Sequence, residues 1–468
     1  MKKIIFFILI WILTAVQLFA VEHLALISVS TDFLKDGDTV TVTVFPYAGR
    51  LAYFKSSFTV PAKGNCFTLE IPVYDKPQFI LIRFNKPEKP DIGPLILFPG
   101  DDLQVSIQTG KINFNGQSAQ RFYVQQQLEA VSAGFRNQFR IIYAPDALAM
   151  SFARIDSCAA ICLRLLERRK GDIGESAFTL LRNDRIAEAI TTKLGYVTYA
   201  CLHKAEQVQH DYIAAFRKYA KPFNGYPTFV AVDSSDKPTS KFAVELIYQQ
   251  YLVDSCILAR RKFNLHDCYV YESRNFKGEM RQQLLTELFM LKRNSPELSL
   301  TDIDGALGYV SNPGFRKVLE KMRELNTVGG MAPEFILRDD NNKEVKLSDL
   351  RGKLVVLDFW FTGCGACKAL APALYTLEKK YAGHPVVFLS VSIDKSREHW
   401  LATLKTNQYT SPLAVKLYTE GRGDQHPVIR DFDVHGYPTI IILDRKGRFC
   451  PKPELNEQGL SEMIDRFL

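Results

Sequence analysis

The chain has 468 residues, 47% of them hydrophobic and 24% charged, which is enough apolar material for several cores and implies more than one domain. Its formal net charge is +8, but acidic and basic residues are interspersed and no run of Lys or Arg exceeds three, which excludes a dedicated nucleic-acid or membrane-surface patch. Nine thinly spread cysteines, an odd number without regular spacing, exclude a disulfide-scaffold protein.

Lys2 and Lys3 precede an apolar run from Ile4 to Phe19 that ends at the small residue Ala20, the composition of an export signal over residues 1–20. The run is long for a signal and Leu18 is large for its place two before the cut, so retention as an N-terminal anchor stays open as a second reading. No later stretch has the 18 or more apolar residues that a membrane span needs.

From residue 21 to 117 short alternating stretches, such as Thr39 to Val44 and Phe79 to Phe84, are cut by Gly, Pro and Asp-Gly turns. Period-two alternation with punctuation about every ten residues predicts an antiparallel β-sandwich. Leu97 to Val105, followed by Ile112 to Gly116, loosely resembles the closing strands of the small β-domain that precedes thioredoxin-like modules in exported Bacteroidetes-type proteins.

Over residues 118–328 the apolar spacing changes to three and four, as at Phe152, Ile155, Ala159, Cys162, Leu163 and Leu166, which predicts an α-helical middle domain. Cys158 and Cys162 lie four apart on one helix face and read as packed thiols, because a helix holds such side chains apart and no His or Asp joins them. Asn224-Gly225-Tyr226-Pro227-Thr228 has no C-x-x-C upstream at a useful distance and reads as a turn.

Gly329-Gly330 marks the start of a C-terminal α/β domain, residues 329–468. Ala332 to Phe335 is expected to be an edge strand and Leu347 to Lys353 a helical turn. Leu354 to Phe359, a near-continuous apolar run, is expected to be a central strand covered on both faces. Cys364-Gly365-Ala366-Cys367 follows, and Lys368 to Ala382 then has helical periodicity, so the dithiol sits at a strand-to-helix junction. Unpaired N–H groups and the helix dipole favour a thiolate there, which makes Cys364 the nucleophile. Cys367, one turn deeper, is the resolving thiol that attacks a mixed disulfide on Cys364. Val386 to Ile393 and Thr439 to Leu443 are further strands, Ser396 to about Asn407 and Glu457 to Leu468 helices, and Arg445 to Arg448 a hairpin turn.

Asp358 lies six residues before Cys364, Pro372 five after Cys367, and Gly436-Tyr437-Pro438-Thr439 about seventy further on. With the order of elements, these spacings resemble the thioredoxin superfamily, specifically the exported TlpA/ResA-like thiol-disulfide oxidoreductases, over roughly the last 135 residues. The resemblance implies a cis bond at Pro438 that keeps metal off the thiols, backbone at Tyr437 free to pair with an extended client, and a kink at Pro372. It places Asp358 beneath the sulfurs, where a raised pKa would let it take the Cys367 proton; the other reading is an Asp that only hydrogen-bonds at the strand end. It implies no cofactor and no metal, reduction of exported disulfide clients such as apocytochromes c, a membrane dithiol as electron donor, and a periplasmic or cell-envelope location.

The sequence also departs from that pattern. Gly363 and Ala366 stand where thioredoxins commonly have Trp and Pro, and Ser390 stands where a Lys often partners the buried Asp. Trp360 reads as packing, and His435, three before Pro438, as a surface-loop residue. Cys450 reads as a lone packed thiol. A peroxiredoxin-like peroxidase needs Thr where Phe361 stands, three before Cys364. A third reading keeps the C-terminal fold as a scaffold and gives residues 21–330 a pure binding role.

Overall fold

A computed structural model describes residues 23–45, 55–73, 77–86, 88–89, 91–138, 147–203, 206–219, 240, 242–293 and 295–468. The export signal expected over residues 1–20 and the turn expected at 224–228 lie outside them. Packing divides the described chain into two units, one ending at Ala259 and one running from Arg260 to Leu468.

The first unit begins with β1 (His23–Thr31), β2 (Thr39–Phe45), β3 (Ser56–Pro61), β4 (Cys66–Val73), β5 (Gln78–Phe84), β6 (Ile92–Leu97), β7 (Leu103–Gln108) and β8 (Lys111–Asn115). They form two four-stranded sheets, β4-β1-β7-β8 and β3-β2-β5-β6. In β2 the alternation works as period two requires: Val40, Val42 and Val44 are buried, while Thr41 and Thr43 point outward to meet Thr59 and Ser57 across the strand pair. Val42, Ile27, Ile71, Ile80 and Ile82 share one core contributed by both sheets. One pair, β1 with β7, is parallel, where the sequence suggested an antiparallel sandwich throughout. The chain reaches β7 only after building the whole second sheet, so it returns beside β1 by a long crossover, the connection a parallel pair requires.

Helices α1 (Ala119–Gln138), α2 (Leu148–Ile173), α3 (Glu175–His203), α4 (Glu206–Tyr219) and α5 (Ala243–Tyr251) complete this unit. Phe152, Ala159, Cys162 and Leu166 form the buried stripe of α2. Burial pushes the Cys158 thiol up and the Cys162 thiol to about 12, so both stay protonated as packing groups at neutral pH.

The second unit opens with α6 (Leu265–Asn275), α7 (Gly278–Leu291), α8 (Leu300–Leu307) and α9 (Pro313–Asn326). Then follow β9 (Ile336–Asp339), β10 (Glu344–Lys346), β11 (Leu354–Trp360), α10 (Gly365–Lys380), β12 (Val386–Ser392), α11 (Arg397–Leu404), β13 (Val415–Tyr418), α12 (Pro427–Asp431), β14 (Thr439–Leu443) and α13 (Glu457–Phe467). The strands form one sheet of order β10-β9-β13-β12-β11-β14. The division at Ala259 and Arg260 falls inside the segment 118–328 because α6 to α9 pack together and α9 reaches this sheet: its Leu325 joins the sheet's core, and the Lys452 amine donates to the Arg293 carbonyl.

β11 is the central strand, paired parallel with β12 and antiparallel with β14, and all seven of its residues are buried. Val355, Leu357 and Phe359 face a core with Leu389, Val391 and Phe432, while Leu354 and Val356 face one with Leu370, Leu374 and Leu460. Both faces are covered, as an unbroken apolar strand demands. Ala332 to Phe335, expected as an edge strand, is not one; the first strand starts at Ile336. Pro333 has no N–H to give a ladder, and Ala332 and Phe335 instead turn into the core, Ala332 donating to the Gly447 carbonyl.

Candidate active site

The C-terminal end of β11 delivers the chain into a three-residue loop, Phe361 to Gly363, and then into α10. Cys364 is the N-cap of that helix, in extended backbone conformation, and the Cys367 N–H donates to its sulfur at 3.1 Å. One orphan donor of the helix start therefore points at Cys364 Sγ, an arrangement that favours negative charge on that atom. Cys364 and Cys367 are joined as a disulfide, their Cα atoms 5.3 Å apart, and both are buried. Cys66, Cys158, Cys162, Cys201 and Cys450 stand outside any disulfide. Pro372 lies inside α10, five residues past Cys367.

Residues far away in sequence fix the loop before the dithiol. Asp394, just beyond β12, is buried; it accepts from the Thr362 N–H at 2.9 Å and from the Thr362 hydroxyl at 2.7 Å, and Ser392 donates to it as well. Gly363 has φ of 100°, a conformation that suits glycine, and its N–H donates to the Tyr409 hydroxyl at 3.1 Å. The Tyr409 ring stacks on Trp360 at 5.2 Å, and the Trp360 indole N–H donates to Ser390 Oγ at 2.7 Å. Thr362, Asp394 and Tyr409 escaped the sequence reading. Asp394 carried one weak signal, as a polar residue at the carboxyl end of a central strand, where α/β sheets place their sites.

Replacing Thr362 by Val keeps the shape and the backbone N–H but strips the hydroxyl donor from Asp394. The oxidised chain is expected to lose about 2 kcal/mol, as for hydrogen bonds to a charged group. The urea midpoint read from tryptophan emission checks this, since Trp360 and Trp400 both pack in the cluster that holds the dithiol; an unchanged midpoint would mean that water replaces the threonine.

Tyr437 packs against the cluster that holds the dithiol, and Pro438 follows it. The Tyr437–Pro438 peptide is cis, and the Tyr437 ring meets Phe361 edge-on at 5.5 Å. Burial, helped by Asp424, pushes the Tyr437 phenol up to about 12. Beside it opens a cleft of about 330 Å³ lined by Ile393, Lys395, Asp424, His435 and Tyr437. His435 lines this cleft and is held by Asp433 at 2.6 Å. Cys450 is buried and pushed up to about 12 by that burial.

Asp358 points to the same side of β11 as Trp360, two residues on, and is 7% exposed. It lines a small cavity with Ala371, Leu374 and Glu378 of α10, Ser390 of β12, and Tyr409 and Ser411 of the loop before β13. Its Oδ1 has no hydrogen-bond partner among the described residues. Burial, then the nearby Glu378, pushes this carboxyl up to about 8. Ser390, in register opposite Asp358, is engaged by the Trp360 indole. Ser390 therefore holds the place on β12 that a Lys partner of Asp358 would take. Among the described residues no three His, Cys, Asp or Glu side chains converge as a metal site.

A family model for thioredoxin-like domains matches residues 352–449. Among curated proteins, a thioredoxin-like protein YneN from Bacillus subtilis is 34% identical over 121 residues, which are 25% of this chain and 66% of that protein. The thiol-disulfide oxidoreductase ResA from Bacillus cereus is 29% identical over 148 residues, 32% of this chain and 79% of ResA. Among solved structures, the thioredoxin domain of a thiol-disulfide oxidoreductase from Bacteroides vulgatus is 26% identical, with 30% of this chain and 97% of that one aligned and a TM-score of 0.28. The family match, the bridged Cys364–Cys367 pair and the two curated relatives agree: residues 352–449 form a thioredoxin-like domain, and the chain is a relative of the ResA-type thiol-disulfide oxidoreductases.

Proposed function

We propose that this chain is an exported thiol-disulfide oxidoreductase that reduces disulfides of exported client proteins in the periplasm or cell envelope. The observation that carries the reading is the bridged Cys364–Cys367 pair at the start of α10, with Cys364 Sγ accepting the Cys367 N–H. In the reduced chain the Cys364 thiolate attacks one sulfur of a client disulfide, forming a mixed disulfide and releasing the other client sulfur as a thiolate. Cys367 then gives its proton to the Asp358 carboxylate and attacks Cys364 Sγ. The chain's disulfide closes, and the client leaves with two electrons and takes its protons from solvent.

A membrane dithiol protein would return the electrons, and exported proteins that must be kept reduced, apocytochromes c among them, would be the clients. An N-terminal signal over residues 1–20 would carry the chain out, cleaved or kept as an anchor. The cleft beside Tyr437 suits an extended client segment, whose backbone would pair with the chain at Tyr437. Residues 21–328 would position clients or bring two copies together.

Thiol trapping of the purified chain across glutathione and dithiothreitol poises tests the redox function. One two-electron transition confined to Cys364 and Cys367 is expected, with a midpoint more reducing than glutathione if the chain is a reductant. A chain with no transition at these two cysteines would instead use the fold as a binding scaffold.

A further inference from the structure

Asp358 does not stand alone in its cavity. Glu378 lines the same space, and the two arrive there by different routes: Asp358 from the central strand, Glu378 from the stripe Cys367, Ala371, Leu374, Glu378 on α10. Those positions, at intervals of four, three and four, share one helix face, so the helix that begins at the dithiol carries Glu378 on the Cys367 side, roughly 16 Å further along. Glu378 is 8% exposed, accepts a hydrogen bond from Ser411 Oγ, and has Lys416 of β13 as its nearby cation. The Lys416 amine itself donates to the Pro412 carbonyl at 2.7 Å. The remaining polar side chains that line the cavity are the hydroxyls of Ser390, Tyr409 and Thr410.

We propose that Glu378 is a positioning residue for proton transfer: with Asp358 it forms a buried acid pair that shares one proton, sets the pH at which Asp358 can take a proton from Cys367, and passes that proton on toward the Ser411–Lys416 edge of the cavity. This rests on the reading of Asp358 as the acid–base group. The geometry replaces the cation that position 390 could have offered with a second acid. Two buried carboxylates lining one cavity resist double ionisation, so the pair holds a proton into the neutral range. Burial pushes Glu378 up to about 7, against the pull of Lys416, and Asp358 is raised in the same direction.

Asp358 takes the Cys367 proton, as Cys367 attacks Cys364, in the form of the pair whose shared proton sits on Glu378 and leaves position 358 ionised. Glu378 then gives its own proton to solvent and accepts the one from Asp358, which restores the carboxylate. In the reverse direction, when the chain's disulfide is reduced, the proton returns from the pair to the Cys367 thiolate. No oxidant or reductant beyond the client and donor disulfides is required.

Single-turnover reduction of a disulfide peptide by the reduced full-length chain, followed from pH 5.5 to 9.5, tests this. The inflection that disappears in Asp358→Asn belongs to the pair. Glu378→Gln is expected to move it to lower pH by about one pH unit, the coupling that makes two sites titrate together. Lys416→Met, at a half-buried position and outside the reacting groups, should move it to higher pH by removing the cation that favours ionisation. In an Asp358→Asn background Glu378→Gln should change the profile no further. A Glu378→Gln profile superimposed on the parent's would overturn the proposal; if that variant does not fold, the absence of an upward move in Lys416→Met does so. An inflection that survives Asp358→Asn removes Asp358 itself from the mechanism, an outcome distinct from the failure of Glu378 alone.

Discussion

Asp358→Asn is expected to make the folded chain more stable at pH 8 than the parent, while leaving the two nearly equal near pH 4. The carboxyl sits at about 8 in the folded chain, against 3.8 when unfolded. Below pH 4 both states hold the proton and the residue contributes nothing. Between 4 and 8 the unfolded chain has released it and the folded chain keeps it, so stability falls as pH rises, and above 8 the whole cost is present. At 1.36 kcal/mol per unit of difference the cost is on the order of a few kcal/mol, since part of it belongs to the coupling with Glu378. Asparagine keeps the volume and removes the charge. Thermal unfolding of the oxidised chain across this range, followed by tryptophan emission, is the check; parent and variant curves that run parallel would mean that Asp358 is ionised at little cost and that the cavity admits water. The same variant should exchange disulfides more slowly near neutral pH. A residue that lowers stability and raises rate together is what a functional acid in a buried site would give, whereas a strand-end Asp that only hydrogen-bonds would lower both or neither.

The parts of the site that were readable in the sequence are those that lie close together along the chain. Asp358, Cys364, Cys367 and Pro372 fall within fifteen residues, and the change from a strand-like run to helical spacing places all four at one junction. Tyr437 and Pro438 were readable only through family resemblance, because nothing in Gly436 to Thr439 by itself says what the loop faces. Glu378 is followed by Lys379 and Lys380 and looks like the start of a solvated helix end. It is buried because it falls on the stripe shared with Cys367, Ala371 and Leu374, and because the loop with Ser411 closes over it. Tyr409 and Asp394 reach the loop before Cys364 from 46 and 32 positions away in the bonds they make, and no periodicity carries such information. The helices α6 to α9 show the same limit. Their spacing announced helix, but an apolar face does not say which unit it will cover.

Cys364→Ser and Cys367→Ser should fail in opposite ways. Without Cys364 the sulfur at the helix start is gone, and disulfide exchange is expected to fall by several orders of magnitude, since an uncharged serine hydroxyl does not attack a disulfide. Without Cys367 the first attack still proceeds, but nothing resolves the mixed disulfide, so client proteins should accumulate covalently on Cys364 and be released by dithiothreitol. Non-reducing gels of the two variants, purified from cells after acid quenching of thiols, separate the roles. The asymmetry follows from the structure: Cys364 receives the Cys367 N–H at the end of α10 that faces Phe361 and Tyr437, whereas Cys367 lies a turn inside on the stripe that leads to the acid pair. Trapping by both variants alike would mean that the two sulfurs are equally open to clients. Trapping by Cys364→Ser alone would reverse the assignment, making Cys367 the attacking thiol and leaving the helix-start donors to stabilise the leaving sulfur.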